Sequence, residues 1–203
     1  AQQSFACAVH SGTVGLFLGL RACGVGPGDE VITVGNSDIS TTAAVSHCGA
    51  TPVLCDVLES DYTIDPAGVE QLVTDRTVAI LPVDLYGHPA NVKHLRDIAD
   101  HYGLKIVEDA ALATGAWDNN RPVGGFADVA LFSFAPFKPL GCVGNGAMLT
   151  TDDADLARKI RDAVAAARPV YPRRANRVGQ CVFSFRDAGV DPAQHLIVVG
   201  AST

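Results

Sequence analysis

A chain of 203 residues with 48% apolar and 18% charged side chains has the balance of a globular protein and the length for one sizeable domain. Its formal net charge of −7 argues against a nucleic-acid partner, because neutralising phosphates takes clustered Lys and Arg. No basic segment precedes an apolar one at the start and no apolar run is long enough to span a bilayer, so a cytoplasmic protein with no membrane association is expected.

The chain opens at Ala1-Gln2-Gln3 without an initiator Met, as expected of a fragment or of a protein missing its natural start. Ser11-Gly12-Thr13 is a helix-start signal, and Thr13 to Cys23 carries apolar residues at helical spacing before stopping at Gly24. After the turn Gly26-Pro27-Gly28-Asp29 comes the β-branched run Val31 to Val34. Ser40 to His47 reads as a helix ending at Gly49, and Pro52 to Cys55 as the next strand. Asp65-Pro66, an N-cap followed by a first-turn proline, opens a helix to about Val73. Val78 to Val83 is almost wholly apolar, as a strand covered on both faces must be. Asn91 caps a helix that ends at Gly103, and Leu104 to Glu108 is another strand. Val129 to Ser133 and Ala147 to Thr150 add two more, and Asp152 to Ala167 is a helix. This alternation predicts an α/β fold, a mostly parallel sheet flanked by helices.

The pattern breaks after that. Arg168, Arg173, Arg174, Arg177 and Arg186 crowd together with Pro169 and Pro172, and only Leu196 to Val199 looks strand-like. Residues 1–167 therefore form the expected domain. Residues 168–203 are either a linker with the stub of a second domain or non-native sequence. The six cysteines (Cys7, Cys23, Cys48, Cys55, Cys142 and Cys181) contain no C-x-x-C pair and sit mostly in apolar runs, as reduced core thiols do.

Gly24-Val25-Gly26-Pro27-Gly28 has the glycines of a dinucleotide loop in the wrong context. It leaves a helix and enters a strand, whereas that loop requires strand then helix, so a turn is expected. Three other places can carry chemistry. The helix start at Ser11-Gly12-Thr13 either caps itself through a hydroxyl or offers its free N–H groups to an anion. Asp109, just past a buried strand, is either a loop cap or a carboxylate at the strand end where α/β ligands gather. Lys138, between Phe137 and Pro139, is either a snorkelling loop lysine or an amine kept neutral by burial for Schiff-base chemistry. Taken together they match one cofactor. Pyridoxal phosphate needs an amine, a carboxylate for its pyridine nitrogen and an anion cradle, to which Ser133 adds a hydroxyl.

With these residues in view, the chain resembles the DegT/DnrJ/StrS family of sugar aminotransferases from about Val9 to Arg161. The resemblance rests on Ser11-Gly12-Thr13, Gly26 to Ile32, Pro82-Val83-Asp84-Leu85-Tyr86-Gly87, Glu108 to Ala111, and Phe132 through Lys138, in that order. It implies the large domain of a fold-type I pyridoxal-phosphate-dependent transferase, with the C-terminal small domain largely missing. It further implies a homodimer that moves an amino group from L-glutamate to a nucleotide-linked keto-deoxysugar. Lys138 would be the Schiff-base lysine and proton shuttle, Asp109 the partner of the pyridine nitrogen, and Gly12, Thr13 and Ser133 the phosphate ligands. A related branch carries histidine in place of the lysine and dehydrates, so Lys138 places the chain with the transferases. Two positions depart from the family. Leu112 stands where a glutamine near the ring hydroxyl is usual, and Ile39 where an aromatic ring stacks on the cofactor, leaving packing without stacking. The alternatives are the same chemistry on a cyclitol or carbocyclic ketone, and a non-catalytic regulatory or truncated member.

Overall fold

The segments fold locally as their patterning dictates, and the caps decide where each helix starts. A computed structural model describes residues 3–166 and the backbone of Leu196 and Ile197. The first half runs β1 (Phe5–Val9), α1 (Gly12–Ala22), β2 (Glu30–Val34), α2 (Ile39–His47), β3 (Thr51–Cys55), α3 (Pro66–Leu72) and β4 (Thr77–Leu81). A 3-10 turn at Leu85–Gly87 leads to α4 (Val92–Tyr102), β5 (Lys105–Asp109) and a two-residue hairpin pair, β6 (Trp117–Asp118) and β7 (Arg121–Pro122). β8 (Val129–Ser133), β9 (Ala147–Thr151), α5 (Ala154–Ala166) and β10 (Leu196–Ile197) complete the order.

Side-chain oxygens satisfy the free N–H groups at the helix starts. Ser11 Oγ accepts from the Val14 N–H at 3.4 Å, an Asp38 carboxylate oxygen from Ser40 at 2.8 Å, one of Asp65 from Ala67 at 3.0 Å, and Asn91 Oδ1 from His94 at 3.1 Å. Gly103 closes α4 in the left-handed conformation, φ 71°. The Gly24 to Gly28 segment is a turn between α1 and β2, as its context requires.

The eight-stranded sheet has the order β10-β1-β9-β8-β5-β4-β2-β3. Among the described strands of this sheet β9 alone runs against its neighbours, pairing antiparallel with both β1 and β8. α1, α2 and α5 pack on one face through Leu16, Leu20, Ala44, Val45, Leu156 and Ile160. α3 and α4 cover the other through Val69, Val92, Leu95 and Ile98. α1 lies close enough to β8 that only glycine fits between. A methyl group on Gly15 would sit 2.3 Å from Leu131 Cδ1, and one on Gly19 3.3 Å from Val129 Cγ1.

Two elements escape sequence reading. Phe5–Val9 looks like a lead-in to the first helix, yet it is a strand because β9 supplies its ladder across the sheet. The β6–β7 hairpin turns on Asn119 and Asn120, both at positive φ, which Asn tolerates better than most residues. The strand expected over Leu196 to Val199 is present at Leu196–Ile197, paired parallel with β1. Val198, Val199, Cys181 and the Arg168 to Arg186 cluster lie outside the described residues. Cys7, Cys23, Cys48 and Cys55 are free thiols, and those of β3 and the α1 and α2 ends behave as apolar groups. Burial pushes the Cys23 thiol up to about 12 and those of Cys48 and Cys55 up to about 11. Among the described residues no helix is long and apolar enough to cross a membrane.

Candidate active site

The site is assembled at the carboxyl ends of β5 and β8. β5 ends on Asp109, paired in parallel register with Leu131 of β8, so Ser133 stands one strand over and two residues further along. α1 begins directly above. A methyl group on Gly12 would meet Ser133 Oγ at 3.4 Å, so the missing side chain keeps a gap between the helix N-terminus and the serine. α2 closes the third side. Its Thr41 hydroxyl donates to Asp109 Oδ2 at 3.2 Å, and the Thr13 hydroxyl donates to Ser40 Oγ at 2.9 Å, tying the first turns of α1 and α2 together.

The loop after β8 carries Lys138. Its N–H donates to the Ala135 carbonyl at 2.9 Å, while Phe134 and Cys142 close the loop base through a 2.9 Å backbone bond. The turn is tight at Gly141, where a methyl group would fall 2.6 Å from the Pro136 carbonyl oxygen. Backbone cannot yield as a side-chain tip can. Gly141→Ala is therefore expected to displace the Lys138 loop and lower the yield of cofactor attachment about tenfold, read by absorbance of the bound cofactor, at a stability cost of about 1–3 kcal/mol in urea denaturation.

Electrostatics single out Asp109. Burial at 6% exposure pushes its carboxyl above the ordinary range, and the Ala111 N–H at 3.2 Å, the Thr41 hydroxyl and the Lys138 charge pull it back. Asp38 is held below the usual range by the Ser40 hydroxyl and N–H, with the Lys138 charge adding to the effect. The lysine thus projects its charge onto both carboxylates.

From the sequence, Lys138 is either snorkelling from a loop or buried among apolar neighbours. It is half-buried, with Nζ 5.3 Å from the centroid of the exposed Phe137 ring. The ambiguity at Ser11-Gly12-Thr13 divides by residue. Ser11 spends its hydroxyl as the cap, whereas the first-turn N–H groups of Gly12 and Thr13 have no intrahelical acceptor, and Gly12 itself lies beside Ser133. Ile39 opens α2 with 77% of its surface exposed. Leu112 is half-buried, and its carbonyl oxygen lies against Gly87, where a methyl group would approach it to 3.0 Å. Ser40 and Thr41 were not distinguished in the sequence. The run of hydroxyls in Ser37 to Thr42 is the one signal there, and it also suits an ordinary helix start.

The residues fit pyridoxal phosphate. Each Asp109 oxygen takes one donor and has capacity for another, so a cationic ring N–H would offset its burial. The Gly12 gap, lined by helix N–H groups and a hydroxyl, has the chemistry of a phosphate cradle.

A mostly parallel sheet with an amine, a buried carboxylate and a helix N-terminus at its carboxyl edge defines the large domain of the fold-type I pyridoxal-phosphate enzymes. The family model described as the DegT/DnrJ/EryC1/StrS aminotransferase family matches residues 1–186, and the chain belongs to that family. It is 50% identical over 156 residues to the dTDP-3-amino-3,4,6-trideoxy-alpha-D-glucose transaminase of Streptomyces venezuelae, covering 77% of this chain and 41% of that one. Among solved structures, S. venezuelae DesV in complex with a ketimine intermediate matches with a TM-score of 0.77 and 47% identity, over 83% of this chain and 46% of DesV. NtdA from Bacillus subtilis with bound cofactor PMP matches with a TM-score of 0.75 and 39% identity, over 78% of this chain and 35% of NtdA. The chain thus spans less than half the length of these relatives.

Proposed function

We propose that the full-length protein transfers an amino group from L-glutamate to a keto group of a nucleotide-linked deoxysugar, with pyridoxal phosphate attached at Lys138. The observation that carries this reading is the buried carboxylate of Asp109, set at the strand end within the field of Lys138 and beside the Gly12–Ser133 gap. When bound, pyridoxal phosphate supplies an aldehyde that takes an amine and a ring that stores the electron pair left when Cα loses its proton.

The protein's own residues do the rest. Lys138 Nζ would hold the cofactor through its amine and, as the base beside the substrate Cα, would take up the proton lost there and give it back. Asp109 keeps the pyridine nitrogen protonated, and Thr41 and Ala111 hold that carboxylate in place. Gly12, Thr13 and Ser133 bind the phosphate. Ile39 covers one ring face by packing, and Leu112 lies toward the ring hydroxyl. Because donor and acceptor use the same site in turn, the kinetics are ping-pong.

The protein works in the cytoplasm as a homodimer. Supporting the dimer, Tyr86, Phe137 and Val143 are 84%, 81% and 92% exposed in loops following β4 and β8, where a second copy would bury them.

Reduction with borohydride after incubation with pyridoxal phosphate tests the reading directly. A single phosphopyridoxyl adduct on Lys138, located by mass spectrometry, is expected. Scattered labelling of surface lysines, or none, removes it.

A further inference from the structure

Behind Asp109 lies a second acid pair that the proposed chemistry does not use. Asp84 and Glu108 are 1% and 2% exposed. Asp84 Oδ1 accepts the Ala90 N–H at 2.9 Å, and Glu108 Oε2 accepts the Gly124 N–H at 3.0 Å. Asp84 follows Val83, which bridges Asp109, so the Asp84 and Glu108 carboxyl groups come from neighbouring strand ends and each bears on the other's ionisation, while Asp84 Oδ2 is buried and receives no N–H or hydroxyl donor. Two ionised carboxylates are both acceptors and repel. A hydrogen bond between them requires that one carry a proton. The pair also grips the backbone of the site. The Asp84 N–H donates to the Asp109 carbonyl at 3.0 Å, and the Asp109 N–H to Pro82 at 2.9 Å.

We propose that Asp84 and Glu108 share one proton, held on Asp84 and donated to Glu108, and that the pair positions Asp109. It joins three segments, the loop after β4, the end of β5 and the turn at Gly124, around the residue that faces the cofactor. The charged groups facing the pair are all acids, Glu108 and Asp109 against Asp84, and Asp84 and Asp118 against Glu108. Burial first, then these neighbours, pushes Asp84 well above the carboxylate range, against the Ala90 N–H. Burial likewise pushes Glu108 up to about 7.

The sign of the pH dependence follows. An acid whose folded pKa is raised stabilises fully below its unfolded value and loses that contribution as pH rises toward the folded one. Raising the pH from the unfolded carboxylate value of about 4 to about 7 therefore costs the wild type stability that Asp84→Asn keeps, because the Asn amide donates to ionised Glu108 without titrating. The Tm of Asp84→Asn should gain on the wild type by about 2–3 °C per pH unit across that range. Glu108→Gln, whose amide donates to Asp84 and whose oxygen keeps the Gly124 bond, should show the same gain and serves if Asp84→Asn fails to fold. Infrared difference spectra of the full-length protein without cofactor should contain a protonated-carboxyl band at neutral pH that both variants lose. No such band in the wild type, or a Tm gap that does not change with pH, overturns the shared proton.

The positioning role rests on the cofactor reading, and is tested apart from it. Asp84→Ala should weaken pyridoxal phosphate binding about tenfold and Asp84→Asn recover most of the loss. Equal affinity for Asp84→Ala and wild type ends the positioning role. Failure of the wild type itself to bind overturns the cofactor reading and with it the positioning role, while the stability and infrared results still decide the proton.

Discussion

Lys138→Ala is expected to lower aminotransfer by the full-length protein by about 10³–10⁴-fold, the range lost when a positioned proton-transfer group is removed. Among the described residues the other lysines are engaged elsewhere, Lys93 with Asp97 on α4 and Lys159 with Asp155 on α5. Lys105, bound to Asp128 at 2.8 Å at the start of β5, stands at the opposite end of that strand from Asp109. The variant should also lose the borohydride adduct while keeping the Asp109 bonds to Thr41 and Ala111, since these do not involve the lysine. Steady-state rates with L-glutamate and a keto-sugar nucleotide, beside adduct mapping, check both halves. A decrease below tenfold, with the adduct moved elsewhere, would show that another amine does the work.

Asp109→Asn separates a different step. An amide of the same shape keeps the packing but cannot carry the charge that holds a pyridine nitrogen protonated. Turnover should fall about 10²–10³-fold, as when one preorganised electrostatic group is removed from a dry site. Attachment at Lys138 should survive, because it needs the amine and the phosphate cradle. The split between retained adduct and lost turnover is the diagnostic. Equal loss of both would mean that Asp109 holds the site together and does no electrostatic work. The substitution also removes a buried carboxyl whose pKa burial raises, so apoprotein stability should decline less for Asp109→Asn than for wild type as pH rises above the unfolded carboxylate value of about 4, by urea denaturation at a series of pH values.

How far the sequence reached depended on the range of the interactions. Helix starts were legible at Asn91 and at Asp65-Pro66 because a cap lies within three residues of what it bonds. Val129–Ser133 was legible because a strand buried on both faces leaves a continuous apolar run. Phe5–Val9 was not, since its partner β9 lies more than a hundred residues away and its own five residues carry no turn signal before them. Lys138 stood out by its apolar neighbours, but local composition did not decide between a buried and a snorkelling lysine, and the structure leaves it half-buried.

By itself the sequence determined the α/β class and the helix limits, and it singled out Lys138, Asp109 and the Ser11-Gly12-Thr13 turn as the candidates for an amine, a carboxylate and an anion-binding turn. Those depend on residue type and on neighbours close along the chain. Tertiary structure alone decided that Thr41, 68 residues before Asp109, donates to it. It also decided that Gly12 leaves its gap against Ser133 and that Asp84 Oδ2 is buried without an N–H or hydroxyl donor. Each of these is a meeting of strand ends and helix starts, set by the order in which the strands join the sheet, and no local pattern encodes that order.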